Sequence, residues 1–389
     1  TKGAMPSPPK GRCRMPRSRQ QDSVWRIMVS GGGTGGHVFP AISIAQACKA
    51  LRPDCSVHFV GALGKIEMTQ VPKAGFSITG FWIRGFQRKA LWKNLALPLQ
   101  VLVSLVQAWN LLRKFRPHVV VGVGGYASGP LLWVAQRLGI PTALQEQNAL
   151  PGATNRFLSG GARRVYVAFE GMETYFGSNK TVVTGNPVRP ELLNQGPGRE
   201  EALKFWGLSG ERKTVLVLGG SLGARALKEA VEACLRSGSP DVVWLWQCGR
   251  HYQLPEDLQA KQGPNLRVLP FVQEMTMAYA AADWIVSRAG AGTMSELALV
   301  AKPCLLVPSP YVAENHQHHN AMNWVDLSLA WISSDATISN DLPKVLLEWG
   351  QDPEVAKTKA LGLRKWSRPD AAQRIATDLF ELTYQENAA

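Results

Sequence analysis

Twice in this chain a short apolar, β-like run empties into a glycine-rich turn that opens a helix. Residues 24–29 lead into Ser30-Gly31-Gly32-Gly33-Thr34-Gly35-Gly36-His37, and Thr214–Leu218 leads into Gly219-Gly220-Ser221-Leu222-Gly223-Ala224-Arg225. Around each turn, strand-like runs alternate with helical stretches. Parallel strands need a long crossover, usually a helix, so this alternation specifies an α/β fold of parallel sheets covered on both faces. Strands are predicted at 24–29, 56–61, 76–83, 119–122, 141–145, 164–168, 214–218, 241–248, 266–269, 284–286 and 304–307. Helices are predicted from the first turn to about Leu51, over 90–114, to Leu138, and from the 219–225 turn to about Leu235.

A chain of 389 residues exceeds what one core holds comfortably, and an apolar content of 45% supplies material for two. Residues 1–24 read as a disordered basic tail, 25–186 as an N-terminal lobe and 187–364 as a C-terminal lobe. A last helix within 365–386 is expected to pack back on the first lobe. The boundary falls in the punctuated stretch Gly185-Asn186-Pro187-Val188-Arg189-Pro190. Open α/β sheets bind ligands beyond their strand C-termini, so two such lobes would present their sites to each other across a cleft.

The formal net charge of +14 is concentrated in two places. Residues 1–26 carry seven basic side chains against Asp22 alone, and residues 84–116 carry Arg84, Arg88, Lys89, Lys93, Arg113, Lys114 and Arg116 with no acid. A protein that tracks a nucleic-acid backbone spreads its cations along a groove, and no nucleic-acid partner is expected here. The second cluster instead brackets Trp82, Phe86, Leu91 and Trp92 and an apolar stretch over 95–112, broken by Gln100, Ser104, Gln107 and Asn110. No uninterrupted apolar run reaches the ~18 residues of a spanning helix. Aromatic and apolar groups beside cations suit a helix lying in an anionic membrane surface; a core helix with basic ends is the alternative. The six cysteines form no C-x-x-C pair and read as thiols of a reducing compartment.

The turns carry the chemistry. Glycine has no Cβ, so the N–H groups of such a turn can approach an anion closely, and the following helix adds its positive end. Gly31, Gly33 and Gly36 satisfy G-x-G-x-x-G. A dinucleotide site would want an acid at the end of the second strand, which here ends Phe59-Val60-Gly61-Ala62, and a P-loop would want Lys where His37 stands. His37 can take a proton from an attacking hydroxyl or donate to phosphate. Gly124-Gly125-Tyr126-Ala127-Ser128-Gly129 and the 219–225 turn are further anion cradles. After Gly290, Glu296 falls about one helical turn on, where a carboxylate can accept both hydroxyls of a ribose diol. The run Glu314-Asn315-His316-Gln317-His318-His319-Asn320 holds three of the seven histidines. It lacks H-E-x-x-H spacing, and no D-x-D occurs in the chain, so polar contacts to a sugar are expected there and no metal.

Taken in order, the 31–37 loop with Pro40, Gly124-Gly125-Tyr126-x-Ser128-Gly129-Pro130, Glu146-Gln147-Asn148, Thr184-Gly185-Asn186-Pro187-Val188-Arg189, Gly219-Gly220-Ser221-x-Gly223-Ala224-Arg225, the 290–296 stretch and His316-Gln317-x-x-Asn320-Ala321 form one pattern. It resembles the MurG family of bacterial peptidoglycan enzymes, the UDP-N-acetylglucosamine–N-acetylmuramyl-(pentapeptide) pyrophosphoryl-undecaprenol N-acetylglucosamine transferases, over about residues 25–385. Many relatives have His where Gln145 stands, some have two glutamines at His316-Gln317, and Leu222 replaces a frequent Gln.

The resemblance implies a GT-B fold of two Rossmann-like lobes separated by a deep cleft. It implies an inverting, metal-independent glycosyltransferase without cofactor that moves N-acetylglucosamine from UDP-GlcNAc to O4 of the muramyl sugar of lipid I, giving lipid II and UDP. His37, assisted by Glu146, would be catalytic. Thr34, Gly35, Asn148, Arg189, Ser221, Val272, Ala291, Gly292, Thr293, Glu296 and Gln317, the last with His316, would bind the donor, with Glu296 on the ribose diol and the Val272 backbone at uracil. Gly33, Gly36, Gly124, Gly125, Tyr126 and Ser128 would meet the acceptor. Trp82, Phe86, Lys89, Trp92 and Lys93 would meet an anionic membrane surface at the cytoplasmic face of the plasma membrane, with other cell-wall synthesis proteins as further partners. Rival readings are a diacylglycerol glucosyltransferase, a NAD(P)-dependent oxidoreductase and a non-catalytic membrane scaffold.

Overall fold

The computed structural model describes residues 24–85, 94–194, 196–220 and 223–388, without the side chains of 313 and 384–388. The first sheet contains β1 (Arg26–Ser30), β2 (Ser56–Ala62), β3 (Ser77–Phe81), β4 (Val119–Gly122), β5 (Thr142–Glu146), β6 (Arg164–Val167) and β7 (Thr181–Val183). The second contains β8 (Thr214–Leu218), β9 (Val243–Gln247), β10 (Leu266–Leu269), β11 (Trp284–Ser287), β12 (Cys304–Leu306) and β13 (Trp331–Ile332). Their orders are β3-β2-β1-β4-β5-β6-β7 and β10-β9-β8-β11-β12-β13, with every pairing parallel. The α/β, two-lobed fold that the resemblance implies is the one observed. The edge strands β7 and β13 lie outside the predicted set.

Each sheet has helices on both faces, and the strands show it residue by residue. Ile27 and Val29 point into one apolar cluster and Met28 into another, while Val119 and Val121 divide from Val120 in the same way. All six are fully buried. Successive side chains of a strand face opposite sides, so a strand covered on both faces reads as an unbroken apolar run. Each such side chain contributes about 1.5–3 kcal/mol on burial.

Both sheets reverse strand order next to their first strand, between β1 and β4 in one and between β8 and β11 in the other. The crevice beyond the strand ends at such a switch point is where open α/β sheets hold ligands. The Gly31 and Gly124 turns leave β1 and β4, and the Gly219 and Gly290 turns leave β8 and β11. Topology alone thus brings the four turns to the two switch points.

The chain passes between the lobes twice, after β7 through Gly185 and Asn186 and again near Ser367 and Arg368 before the helix Ala371–Ala388. The passages touch. Gly185 has φ +83, and a Cβ there would strike the Cβ and Cγ of Arg368. The helix Ala371–Ala388 lies on the first lobe: Phe380 packs at 3.8 Å from the Trp25 ring, Trp25 Nε1 donates to Thr383 Oγ1 (3.0 Å) and Tyr166 donates to Asp378 (2.7 Å).

Helix Leu97–Phe115 is turned inside out. Its buried face is Gln100, Ser104, Ala108 and Leu112, while Leu99, Leu102, Val106 and Trp109 are exposed, as are Leu95 and Trp82 nearby. No helix among the described residues is long and apolar enough to cross a membrane.

Candidate active site

The first two glycine turns form one mouth. Gly124 and Gly125 have φ of +99 and +95, the left-handed side that favours glycine. A Cβ at Gly124 would lie 2.7 Å from His37 Cδ2 and 2.8 Å from Nε2, and one at Gly125 would strike the Gly32 carbonyl. The second turn therefore presses its bare backbone against the first and against the His37 ring. Glu67, which belongs to no motif in the sequence, braces the first turn from beneath. It is buried, its Oε2 accepts from Gly33 N (2.9 Å) and its Oε1 from Ala62 N (3.0 Å). The Gly33 N–H is thus engaged inside the protein, and Thr34 and Gly36 are the exposed residues of the turn.

His37 Nδ1 donates to the Gly32 carbonyl (3.1 Å), which leaves Nε2 as the ring atom with a free lone pair, beside Gly124. Burial holds the imidazole below its ordinary range, only partly opposed by Glu146, the Gly32 carbonyl and Glu67. A neutral ring with Nε2 open has the form a general base needs.

Ser128 faces inward. Its hydroxyl is buried and donates among the Ser30 carbonyl (3.0 Å), Ser30 Oγ (3.1 Å) and the Gly124 carbonyl (2.9 Å), so it joins the two turns instead of facing the cleft. Tyr126 is half exposed over the mouth. Glu146 is buried at the end of β5, with Oε1 accepting from Asn148 N (3.0 Å) and Nδ2 (3.2 Å) and Oε2 from Gly152 N (3.0 Å) and Asn155 Nδ2 (2.8 Å). A carboxylate so engaged shapes the 147–155 loop and acts on His37 through its charge. Asn148 in turn accepts from Asn320 Nδ2 (3.2 Å), and Asn320 Oδ1 accepts from Ala149 N (3.0 Å). Asn186 donates to the Gln147 carbonyl (3.0 Å) and to Ser295 Oγ (3.1 Å). Asn148, Asn186 and Asn320 are therefore a seam of amides between the lobes. Neither Asn148 nor Thr34, both expected at the donor, borders the donor-side cavity.

That cavity, about 680 Å³, gathers most of the other expected residues. Gly35, Gly36, Arg189, Val272, Ala291, Gly292, Thr293, Glu296 and Gln317 line it, with Gly219, Gly220 and Gly223 of the third turn. Helix Ala291–Val300 starts at its wall, so the N–H groups of Ala291, Gly292 and Thr293 and the positive helix end face the space. Glu296 is nearly buried: Oε1 accepts from Arg189 Nε (2.9 Å) and Oε2 from the Tyr279 hydroxyl (2.8 Å). The Arg189 guanidinium also lies 4.9 Å over the Phe39 ring of the first lobe, which places it between the lobes. The Val272 N–H is held by Gln247 Oε1 (2.9 Å), and Gln317 Oε1 accepts from Ser309 N (2.8 Å). Tyr279, Gln247, Glu67 and Asn155 carry no motif of their own; each is recognisable only from its partner.

Ser221 lies outside the described residues, as do Phe86, Lys89, Trp92, Lys93 and residues 1–23. Of the membrane set, Trp82 is described and is 42% exposed. Among the described residues, no group of three or more His, Cys, Asp or Glu could hold a metal ion.

Residues 27–167 match the glycosyltransferase family 28 N-terminal domain and residues 214–375 the glycosyltransferase family 28 C-terminal domain. The chain is 48% identical, over 370 residues, to the UDP-N-acetylglucosamine–N-acetylmuramyl-(pentapeptide) pyrophosphoryl-undecaprenol N-acetylglucosamine transferase of Bacteroides fragilis, an alignment that covers 94% of this chain and 97% of that protein. The enzyme of the same name from Cytophaga hutchinsonii is 43% identical over 92% of this chain and 97% of its own length. The crystal structure of Acinetobacter baumannii MurG superposes with a TM-score of 0.72 at 30% identity, covering 92% of this chain and 99% of that one.

Proposed function

The chain belongs to glycosyltransferase family 28, and from that membership we infer that it transfers N-acetylglucosamine from UDP-N-acetylglucosamine to N-acetylmuramyl-(pentapeptide) pyrophosphoryl-undecaprenol, lipid I, in peptidoglycan synthesis. The observation that carries this reading is the 48% identity, along 94% of the chain, to an enzyme of that name. The two-lobed GT-B architecture agrees with it.

The reaction is a single in-line displacement with inversion. The muramyl O4 attacks the anomeric carbon of the donor sugar, the C1–O bond to UDP breaks, and its electron pair goes to the β-phosphate oxygen of UDP. The O4 proton goes to His37 Nε2, the open ring atom of a neutral imidazole. Glu146 supports the imidazolium that forms, through charge and without contact to the reacting atoms. Negative charge arriving on UDP is met by the first N–H groups of helix Ala291–Val300, by the Gly219–Gly223 turn and by Arg189. Ser221 joins that set by family resemblance. Glu296 accepts from the ribose diol, Val272 flanks the base and Gln317 reads sugar hydroxyls. The acceptor pyrophosphate lies at the mouth formed by the first two turns, under Tyr126.

The acceptor is lipid-borne, and the inverted helix Leu97–Phe115 supports a place for the protein on the cytoplasmic face of the membrane. Its exposed Leu99, Leu102, Val106 and Trp109 end in a basic last turn at Arg113 and Lys114. Apolar groups beside cations bind an anionic lipid surface without crossing it.

Radiolabelled UDP-N-acetylglucosamine supplied with lipid I and with diacylglycerol in parallel tests the assignment. Label should appear on lipid I alone. Label on diacylglycerol with none on lipid I would overturn it.

A further inference from the structure

We propose that Tyr279 is a positioning residue of the donor site: its hydroxyl pins one oxygen of Glu296 so that the remaining acceptor sites of the carboxylate meet the ribose 2′- and 3′-hydroxyls, and this sets the preference for ribonucleotide over 2′-deoxyribonucleotide donors. The proposal rests on the reading of Glu296 as the acceptor for the diol.

The terminal torsion of a glutamate side chain is broad and roughly two-fold, so the side chain does not fix the plane of its own carboxylate. A bidentate diol contact needs that plane fixed. Two groups hold Glu296, and they differ in kind. Arg189 reaches Oε1 from the segment between the lobes and its side chain is a quarter exposed. Tyr279 reaches Oε2 from the same lobe as Glu296 and is 2% exposed, in the cluster that includes Leu218, Val272, Met294 and Leu297. Its helix, Met275–Ala281, is fastened from behind by Lys302, whose Nζ donates to the carbonyls of Tyr279, Ala280 and Ala282. Burial and the adjoining Glu296 carboxylate raise the phenol well above its ordinary range, so it remains a donor across all working pH. A carboxylate offers about four lone-pair sites. Tyr279 takes a site on Oε2 and Arg189 one on Oε1, which leaves sites for a ligand, and both Tyr279 and Glu296 line the 680 Å³ cavity.

The test compares the full chain with Tyr279→Phe and Glu296→Ala, using UDP-N-acetylglucosamine and its 2′-deoxyribose analogue as donors and lipid I as acceptor. Wild type should prefer the ribose donor. Tyr279→Phe should raise KM for the ribose donor about tenfold or more, the scale of one hydrogen bond to a charged group, with kcat within about twofold. KM for the deoxyribose donor, which keeps only the 3′-hydroxyl contact, should rise less, so the preference narrows. Calorimetric binding of UDP and 2′-deoxy-UDP reads the same preference without turnover. If Tyr279→Phe weakens both donors equally, or leaves the preference intact, Tyr279 only fills space and the proposal fails. If Glu296→Ala keeps the wild-type preference, the diol reading of Glu296 fails and the proposal falls with it.

Discussion

Gly124→Ala tests whether the Gly124 turn positions the base. At φ +99 the new side chain meets backbone strain of about 1–2 kcal/mol, the usual penalty for an L-residue on the left-handed side. That penalty alone carries no information about catalysis, so Gly139→Ala serves as the control: its φ is +71 and a Cβ there finds nothing within 4 Å. At Gly124 the Cβ would also stand 2.7 Å from His37 Cδ2 and 2.8 Å from Nε2, where ordinary contact begins at 3.4 Å. The ring must give way by roughly 0.7 Å, and a misplacement approaching 1 Å at a reacting group costs about a hundredfold in rate, or about 2.7 kcal/mol of barrier. Both variants should lose similar thermal stability. Only Gly124→Ala should lose kcat, measured as radiolabelled transfer to lipid I with both substrates saturating, while its donor KM stays at the wild-type value because Glu296 and Tyr279 lie in the other lobe. In a His37→Ala background, Gly124→Ala should cost no more than about a further twofold, since coupled residues do not add. A Gly124→Ala enzyme within threefold of Gly139→Ala in kcat, or full additivity with His37→Ala, refutes the argument.

The pH profile follows from the same ring. Burial holds His37 below 6.5, and the neutral form is the base, so kcat/KM for acceptor should be flat through neutrality and fall on acidification with a midpoint under 6.5; a midpoint at or above that value contradicts the assignment. Glu67→Ala strips the Gly33 and Ala62 N–H groups of their buried acceptor and should lower stability by at least about 2 kcal/mol in urea unfolding. Changing Leu99, Leu102 and Val106 together to Gln should weaken sedimentation with anionic vesicles about a hundredfold or more while kcat on a short-chain, water-soluble lipid I analogue is kept, and unchanged sedimentation would remove this helix from the membrane contact.

Legibility in the sequence tracked how local the cause was. The strands Val119–Gly122 and Thr214–Leu218 read directly because burial on both faces makes all but the first residue of the second an apolar or glycine position. β7 and β13 did not, being edge strands of three and two residues with half-buried side chains and no run to detect. The glycine turns were legible through composition, and the positive φ at Gly33, Gly124, Gly125 and Gly220 explains their residue type. Helix Leu97–Phe115 could be located but not oriented, because periodicity cannot tell which face a neighbour covers, and here the polar Gln100 and Ser104 are the covered ones. Glu67, Tyr279 and Asn155 stayed hidden because each acts through a partner that only the fold brings near. Ser128, by contrast, sat in a legible motif and was expected at the acceptor, but its hydroxyl points at Ser30.

The contact between Gly185 and Arg368 has a mechanical meaning. The segments on both sides of the second lobe belong to the first, so the covalent connection between the lobes runs through a single point. A body held at one point by two adjoining tethers can swing, but it cannot slide without stretching both tethers at once. The displacement in such a swing grows with distance from the pin, so Gly185 and Arg368 stay nearly still. The bare α-carbon of Gly185 lets the tethers lie together, and a side chain there would act as a wedge, turning one pin into two and stiffening the swing.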